Sequence, residues 1–163
     1  MKSSKLNIKK SFKNLSDSKV AVVSTYWNEE VIMPMLKDCL AKLDDYDLET
    51  ESFVVPGAYE LPLTAKSLCK SFDAVILLGC IIKGETPHFE IISQSISDNV
   101  LKTSLEEETP IIFGVLTTNN ESEAKERAAY KGSEFAESAL STLDTLKKIK
   151  LKLIHLPQKL DNW

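Results

Sequence analysis

The densest chemistry in this chain lies in one ten-residue stretch, GCIIKGETPH (Gly79–His88). Thr86 suits a helix N-cap and Pro87 the first helical position. A helix that starts there leaves backbone N–H groups free beside Lys83, and such a terminus favours an anion, most often phosphate. Gly79 and Gly84 allow close backbone approach or a positive φ. His88, one position into the helix, can serve as a general acid or base near neutral pH, or it can simply hydrogen-bond its own loop. A second stretch, VPGAYELP (Val55–Pro62), sets Gly57 close to the carboxylate of Glu60 at another helix start. Glu60 either favours the helix dipole or accepts hydrogen bonds from sugar or polyol hydroxyls. Trp27 is either a core aromatic or a stacking platform for a flat heterocycle. Arg127 is the one arginine beside nineteen lysines, so only it offers a planar bidentate anion fork. The alternative for Arg127 is a surface salt bridge with Glu123, which contributes little.

The elements around these residues alternate. Short apolar runs at Val20–Trp27, Glu51–Pro56, Asp73–Ile82 and Pro110–Thr118 read as strands. Helix-period segments follow each of them. Val31, Ile32, Met35, Leu36, Cys39, Leu40 and Leu43 mark the first, where Pro34 predicts a kink or a later start. Leu61 to Leu68 form the second, and Phe89, Ile92, Ile96, Val100 and Leu105 the third. A helix runs from Glu121, and Phe135, Ala139, Leu140, Leu143 and Leu146 mark a last one. The third strand is apolar nearly throughout, as a central parallel strand covered on both faces must be. Strands alternating with helices predict a parallel four-stranded sheet in a three-layer α/β/α domain. Ligands of such sheets bind beyond the carboxyl ends of the strands. The loops to inspect are therefore Tyr26–Asn28, Pro56–Glu60, Gly79–His88 and Gly114–Asn120. The domain reading is an N-terminal arm at 1–17, one α/β domain at 18–146, and a tail at 147–163 with no assigned role.

Composition narrows the function classes. The 163 residues are 43% hydrophobic and 27% charged, with 20 basic against 24 acidic side chains and a net charge of −4. That excludes a disordered chain, a collagen-like repeat and a coiled coil. It also argues against non-specific nucleic-acid binding, which needs a concentrated basic face. Two distant histidines and three scattered cysteines (Cys39, Cys69, Cys80) form no metal-ligand pattern. The cysteines read as reduced thiols, and the Lys-rich N-terminus lacks the apolar core of a secretory signal, so a cytoplasmic location is expected. No apolar run is long enough to span a bilayer.

VPGAYELP, GCIIKGETPHFE, PIIFGVLTTNN and EAKERA occur in that order, with the pair Trp27-Asn28 after the first strand. In these strings, from about Val20 to Leu143, the chain resembles the lumazine synthase family. The resemblance implies a flavodoxin-like fold. It implies condensation of 5-amino-6-(D-ribitylamino)uracil with 3,4-dihydroxy-2-butanone 4-phosphate to 6,7-dimethyl-8-ribityllumazine, the penultimate step of riboflavin biosynthesis, with no cofactor or metal. On the same footing, Trp27 takes the place of an aromatic that stacks on the pyrimidine. Ala58, Tyr59 and Glu60 match the ribityl-binding segment, and Cys80, Ile81 and Ile82 the segment whose backbone binds the pyrimidine. Glu85 and Thr86 match the phosphate-binding helix start, and His88 the proton-transfer residue. Phe113, Arg127 and Lys131 match residues given by a neighbouring subunit, Arg127 to the phosphate.

The resemblance also implies a homopentamer as the smallest complete unit, with decamers or sixty-subunit shells as higher forms and riboflavin synthase as a possible partner. Leu6, Ile8 and Phe12 in the arm are spaced to add a strand to a neighbour's sheet edge. Three features depart from the family pattern: Trp27 in place of the usual Phe, a shortened junction between the last two helices at AAYKGSE, and the long tail. The competing readings are a non-catalytic flavin- or nucleotide-binding module of the same fold and a silent assembly protein. The loop STYWNEE lacks the phosphate cradle of the former, and His88, Glu60 and Arg127 speak against the latter.

Overall fold

The computed structural model describes Phe12 and residues 15–154. Strands β1 (Lys19–Thr25), β2 (Glu49–Val55), β3 (Ala74–Ile82) and β4 (Ile111–Thr118) alternate with helices α1 (Glu29–Leu43), α2 (Leu61–Leu68), α3 (His88–Glu106) and α4 (Glu121–Ile154). A 3-10 turn at Ala58–Glu60 leads into α2. All strand pairs are parallel, in the order β2-β1-β3-β4. The chain therefore leaves β1 to one side for β2 and to the other for β3. That reversal makes the gap beyond β1 and β3 the topological switch point, where α/β sheets bind ligands.

The two-residue period of the strands sorts their side chains into two cores. Val20, Val22, Ile76 and Leu78 pack under α1 and α4 against Val31, Met35, Cys39 and Leu140. Ala21, Val23, Val75 and Leu77 pack under α2 and α3 against Leu61, Ala65, Ile96 and Val100. The central strand β3 is buried on both faces from Ala74 to Cys80, which explains its apolar run. The expected three-layer α/β/α domain is thus present.

Four expectations need correction. The last two helices are one: α4 runs unbroken for 34 residues through AAYKGSE. Gly132, within the stretch read as a junction, serves close packing. Ala124, Ala128, Gly132 and Ala136 recur every fourth residue and are buried against α1. A Cβ at Gly132 would sit 2.1 Å from the Met35 carbonyl oxygen. Asp38 on α1 accepts the Ser133 N–H at 2.5 Å, and Lys147 donates to the buried Ser18 hydroxyl at 2.5 Å, so the helix is fastened at both points. The tail's first residues, Lys147–Ile154, are accordingly the last turns of α4; residues 155–163 lie outside the described residues.

Second, Pro34 does not mark the start of α1, which begins five residues earlier at Glu29. It leaves the Glu30 carbonyl without its usual donor, and Glu30 is exposed, so water can supply one. Third, Thr86 is not the cap of α3. Pro87 holds the cap position with no side-chain cap bond, and His88 is the first helical residue. Neither Gly79 nor Gly84 takes a positive φ. Fourth, Phe12 and Leu15 of the presumed arm are buried in the chain's own core, Phe12 with its ring 5.6 Å from that of Tyr46. Phe12 is therefore unavailable to a neighbour's sheet; Leu6 and Ile8 lie outside the described residues.

Candidate active site

β1 and β2 continue their pairing past their strand ends. Tyr26 N–H donates to the Val55 carbonyl at 2.9 Å and Trp27 N–H to Pro56 at 3.1 Å. The chain then turns sharply at Asn28, whose φ of 63° and ψ of 41° are left-handed, a conformation Asn tolerates better than most residues. Glu29 and Glu30 follow in the first turn of α1, where negative charge suits the dipole. Trp27 is left 72% exposed at the strand end, which overturns the core reading of that residue. Its indole lies over Gly57, where a Cβ would come within 3.1 Å of ring atom Cε3.

On the other side of the switch point, β3 outruns β1. Its register with β1 ends at Ser24↔Leu78, while its register with β4 continues to Ile82↔Thr118. Cys80 and Ile82 therefore present backbone groups on an edge that β1 no longer covers, while those of Ile81 between them face β4. The Cys80 carbonyl on that edge accepts the Asn28 side-chain amide at 3.1 Å. Burial pushes the Cys80 thiol up to about 11, so it stays protonated at neutral pH and is no candidate base.

These pieces enclose one cleft of about 630 Å³, within the usual range for small-molecule sites. Trp27, Ala58, Tyr59, Cys80, Ile81, Ile82 and His88 line it together. Two lining residues, Asn28 and Ile92, were missing from the sequence-derived set. Asn28 had a legible signal in the Trp27-Asn28 pair; Ile92 stands one helical turn after His88. The cleft walls do not include Glu60, Glu85, Thr86, Phe113, Arg127 or Lys131. Glu60 stands at the rim, where its Oε2 accepts the Gly57 N–H at 2.9 Å. Glu85 and Thr86 lie on the exposed loop before His88. Lys83 on that loop turns away to Glu90 at 2.9 Å, and its hydrogen bond holds the Glu90 carboxyl below its ordinary value. Phe113 sits opposite Leu77, well short of the carboxyl end of β4.

Arg127 and Lys131 project from α4. Arg127 is exposed and makes no ion pair among the described residues, so the salt bridge with Glu123 is absent. Glu123 instead accepts the backbone N–H of Asn119 at 3.1 Å at the start of α4. Lys131 is bonded to Glu134 and lies 5.5 Å from the centre of the Tyr130 ring.

Fold and cleft together define a doubly wound α/β domain with a cleft of small-molecule size at its switch point, walled by an aromatic ring, a bare strand edge and an imidazole. Comparison with known proteins narrows that class. Residues 17–147 match the sequence profile of 6,7-dimethyl-8-ribityllumazine synthase. A protein of that name from Protochlamydia amoebophila is 35% identical over 151 residues, covering 87% of this chain and 88% of its own length. One from Coxiella burnetii is 37% identical over 145 residues, covering 83% and 96%. The chain is also 40% identical over 141 residues to 6,7-dimethyl-8-ribityllumazine synthase 1 of Caulobacter vibrioides, covering 81% and 92%. The chain belongs to the 6,7-dimethyl-8-ribityllumazine synthase family.

Proposed function

We propose that the chain is a transferase that condenses 5-amino-6-(D-ribitylamino)uracil with 3,4-dihydroxy-2-butanone 4-phosphate, giving 6,7-dimethyl-8-ribityllumazine, phosphate and water. The observation that carries this reading is the single cleft in which an exposed indole, an open strand edge and a histidine meet. A flat pyrimidine can stack on Trp27 and hydrogen-bond the backbone of Cys80–Ile82. Its ribityl chain then runs toward Ala58, Tyr59 and the free oxygen of Glu60. The primary amine adds to the ketone and water leaves, forming an imine; phosphate is then eliminated, and the ribitylamino nitrogen closes the ring on the carbonyl so formed, releasing a second water. His88 carries protons between these steps. Holding both substrates in contact supplies much of the remaining acceleration. Mixing the two substrates with purified protein and recording lumazine fluorescence tests the reading. Binding of a flavin without turnover would favour the non-catalytic module instead.

Arg127, Phe113 and Lys131 serve a neighbour's cleft in this reading. Arg127 supports it best, as an exposed fork without an ion-pair partner among the described residues; Lys131 supports it least, because Glu134 already engages it. Arg127→Lys is expected to raise KM for the phosphorylated substrate about tenfold and leave that for ribitylaminouracil nearly unchanged, since Lys cannot grip phosphate bidentately. Equal rises for both substrates in steady-state kinetics would count against the phosphate role.

A site shared in this way requires a closed ring, and we take the homopentamer as the smallest active unit. Ile91, Leu101 and Leu105 on α3 are exposed apolar side chains that such a ring could cover. Light scattering should then give no less than five 18.2 kDa chains, about 91 kDa. An active monomer would overturn both the ring and the crossing of Arg127. Decamer, sixty-subunit shell and a riboflavin synthase partner belong to the same proposal, as does a cytoplasmic location. No helix among the described residues is long and apolar enough to cross a membrane.

A further inference from the structure

We propose that Asn28 is a positioning residue: its side-chain amide ties the end of β1 to the end of β3 and thereby holds the indole of Trp27 in the plane a pyrimidine needs. The inference rests on the proposed function for its substrate, but not for its geometry. β1 and β3 stop pairing after Ser24↔Leu78, so no backbone bond joins them at the depth of the cleft. The hydrogen bond from Asn28 Nδ2 to the Cys80 carbonyl, at 3.1 Å, replaces the missing rung. It also occupies a carbonyl on the edge facing the cleft, leaving the next groups on that edge, at Ile82, for a ligand.

Trp27 depends on that tie more than a buried aromatic would. At 72% exposure its ring gains little orientation from packing. What holds it is its backbone: the N–H bonded to Pro56, the carbonyl accepting the Thr25 hydroxyl at 3.3 Å, and the left-handed turn of Asn28 immediately after. Two of these anchors lie on the β1–β2 side. Asn28 provides the only anchor among them on the β3 side, and it does so from a backbone conformation that few other residues accept.

Two variants separate the amide from the backbone. Asn28→Gly keeps the left-handed turn and removes the amide. Asn28→Asp keeps the shape and sets a carboxylate oxygen against the Cys80 carbonyl. Both are made in a Trp163→Phe background, so that Trp27 is the single tryptophan. Both should lower the fluorescence anisotropy of Trp27 in substrate-free protein. They should raise KM for ribitylaminouracil about three- to tenfold, the worth of one hydrogen bond. The kcat and the KM for the butanone phosphate should stay within about twofold of the parent. Parental anisotropy and parental KM for the pyrimidine in Asn28→Gly would overturn the proposal. So would a loss of Tm with both KM values rising together, which is the mark of a purely structural bond. Should Asn28→Asp fail to fold, Asn28→Gly decides alone. Anisotropy needs no turnover, so a protein that makes no lumazine refutes the proposed function while the positioning claim is still decided.

Discussion

Replacing His88 with alanine is expected to lower kcat for lumazine formation about 10²–10⁴-fold, the usual contribution of a general acid–base group. KM for either substrate should change little. The direction follows from position. His88 is exposed at the first turn of α3 and lines the cleft, yet it supports no packing. It makes no hydrogen bond that would hold the loop, so the reading of His88 as a loop anchor has no support among the described residues. Stopped-flow fluorescence at saturating substrate checks the rate, and circular dichroism checks the fold. Parental turnover in the variant would remove His88 from the chemistry and leave proton transfer to substrate groups or water.

The largest expected effect on stability comes from a residue with no chemistry at all. Gly132→Ala should lower Tm, even though alanine is the better helix former by about 1 kcal/mol. The added methyl would meet the Met35 carbonyl at 2.1 Å, the Cys39 nitrogen at 2.8 Å and the Asp38 Cβ at 3.0 Å. Two of these are backbone atoms and cannot rotate aside, so α1 and α4 must separate along their whole seam. Overpacking of this kind costs about 1–3 kcal/mol or more. For a chain of this size that is about 2–4 °C for each kcal/mol. An unchanged or higher Tm in calorimetry would show that the two helices have slack.

The strands and the cleft were readable because they depend on local patterns. Runs such as AVILLGCII predict a central parallel strand, and the bounds of Leu61–Leu68 agree with the structure. The loops beyond the carboxyl ends then follow from topology, and they brought Trp27, Ala58, Tyr59, Cys80, Ile81, Ile82 and His88 into one cleft. What sequence concealed depends on partners distant along the chain. AAYKGSE looks like a junction because the contact of Gly132 with Met35 is invisible locally. Phe12 and Leu15 look like part of a polar arm because Tyr46, the ring beside Phe12, lies far along the chain. Trp27 reads as core by residue type; only the early end of the β1–β3 pairing shows that nothing covers it.

The unbroken course of α4 has a genetic consequence. Each residue of an α-helix turns the chain by about 100° and advances it about 1.5 Å. A loop between Arg127 and Gly132 would absorb an inserted or deleted codon. A continuous helix locked at Gly132 cannot, and it passes the whole rotation to the guanidinium. One extra residue in this short interval would swing Arg127 from its present direction to about a quarter-turn away while leaving every side chain identity intact. This segment should therefore tolerate many substitutions on its exposed side yet reject single-residue insertions and deletions. Length, more than composition, is what the stretch must preserve.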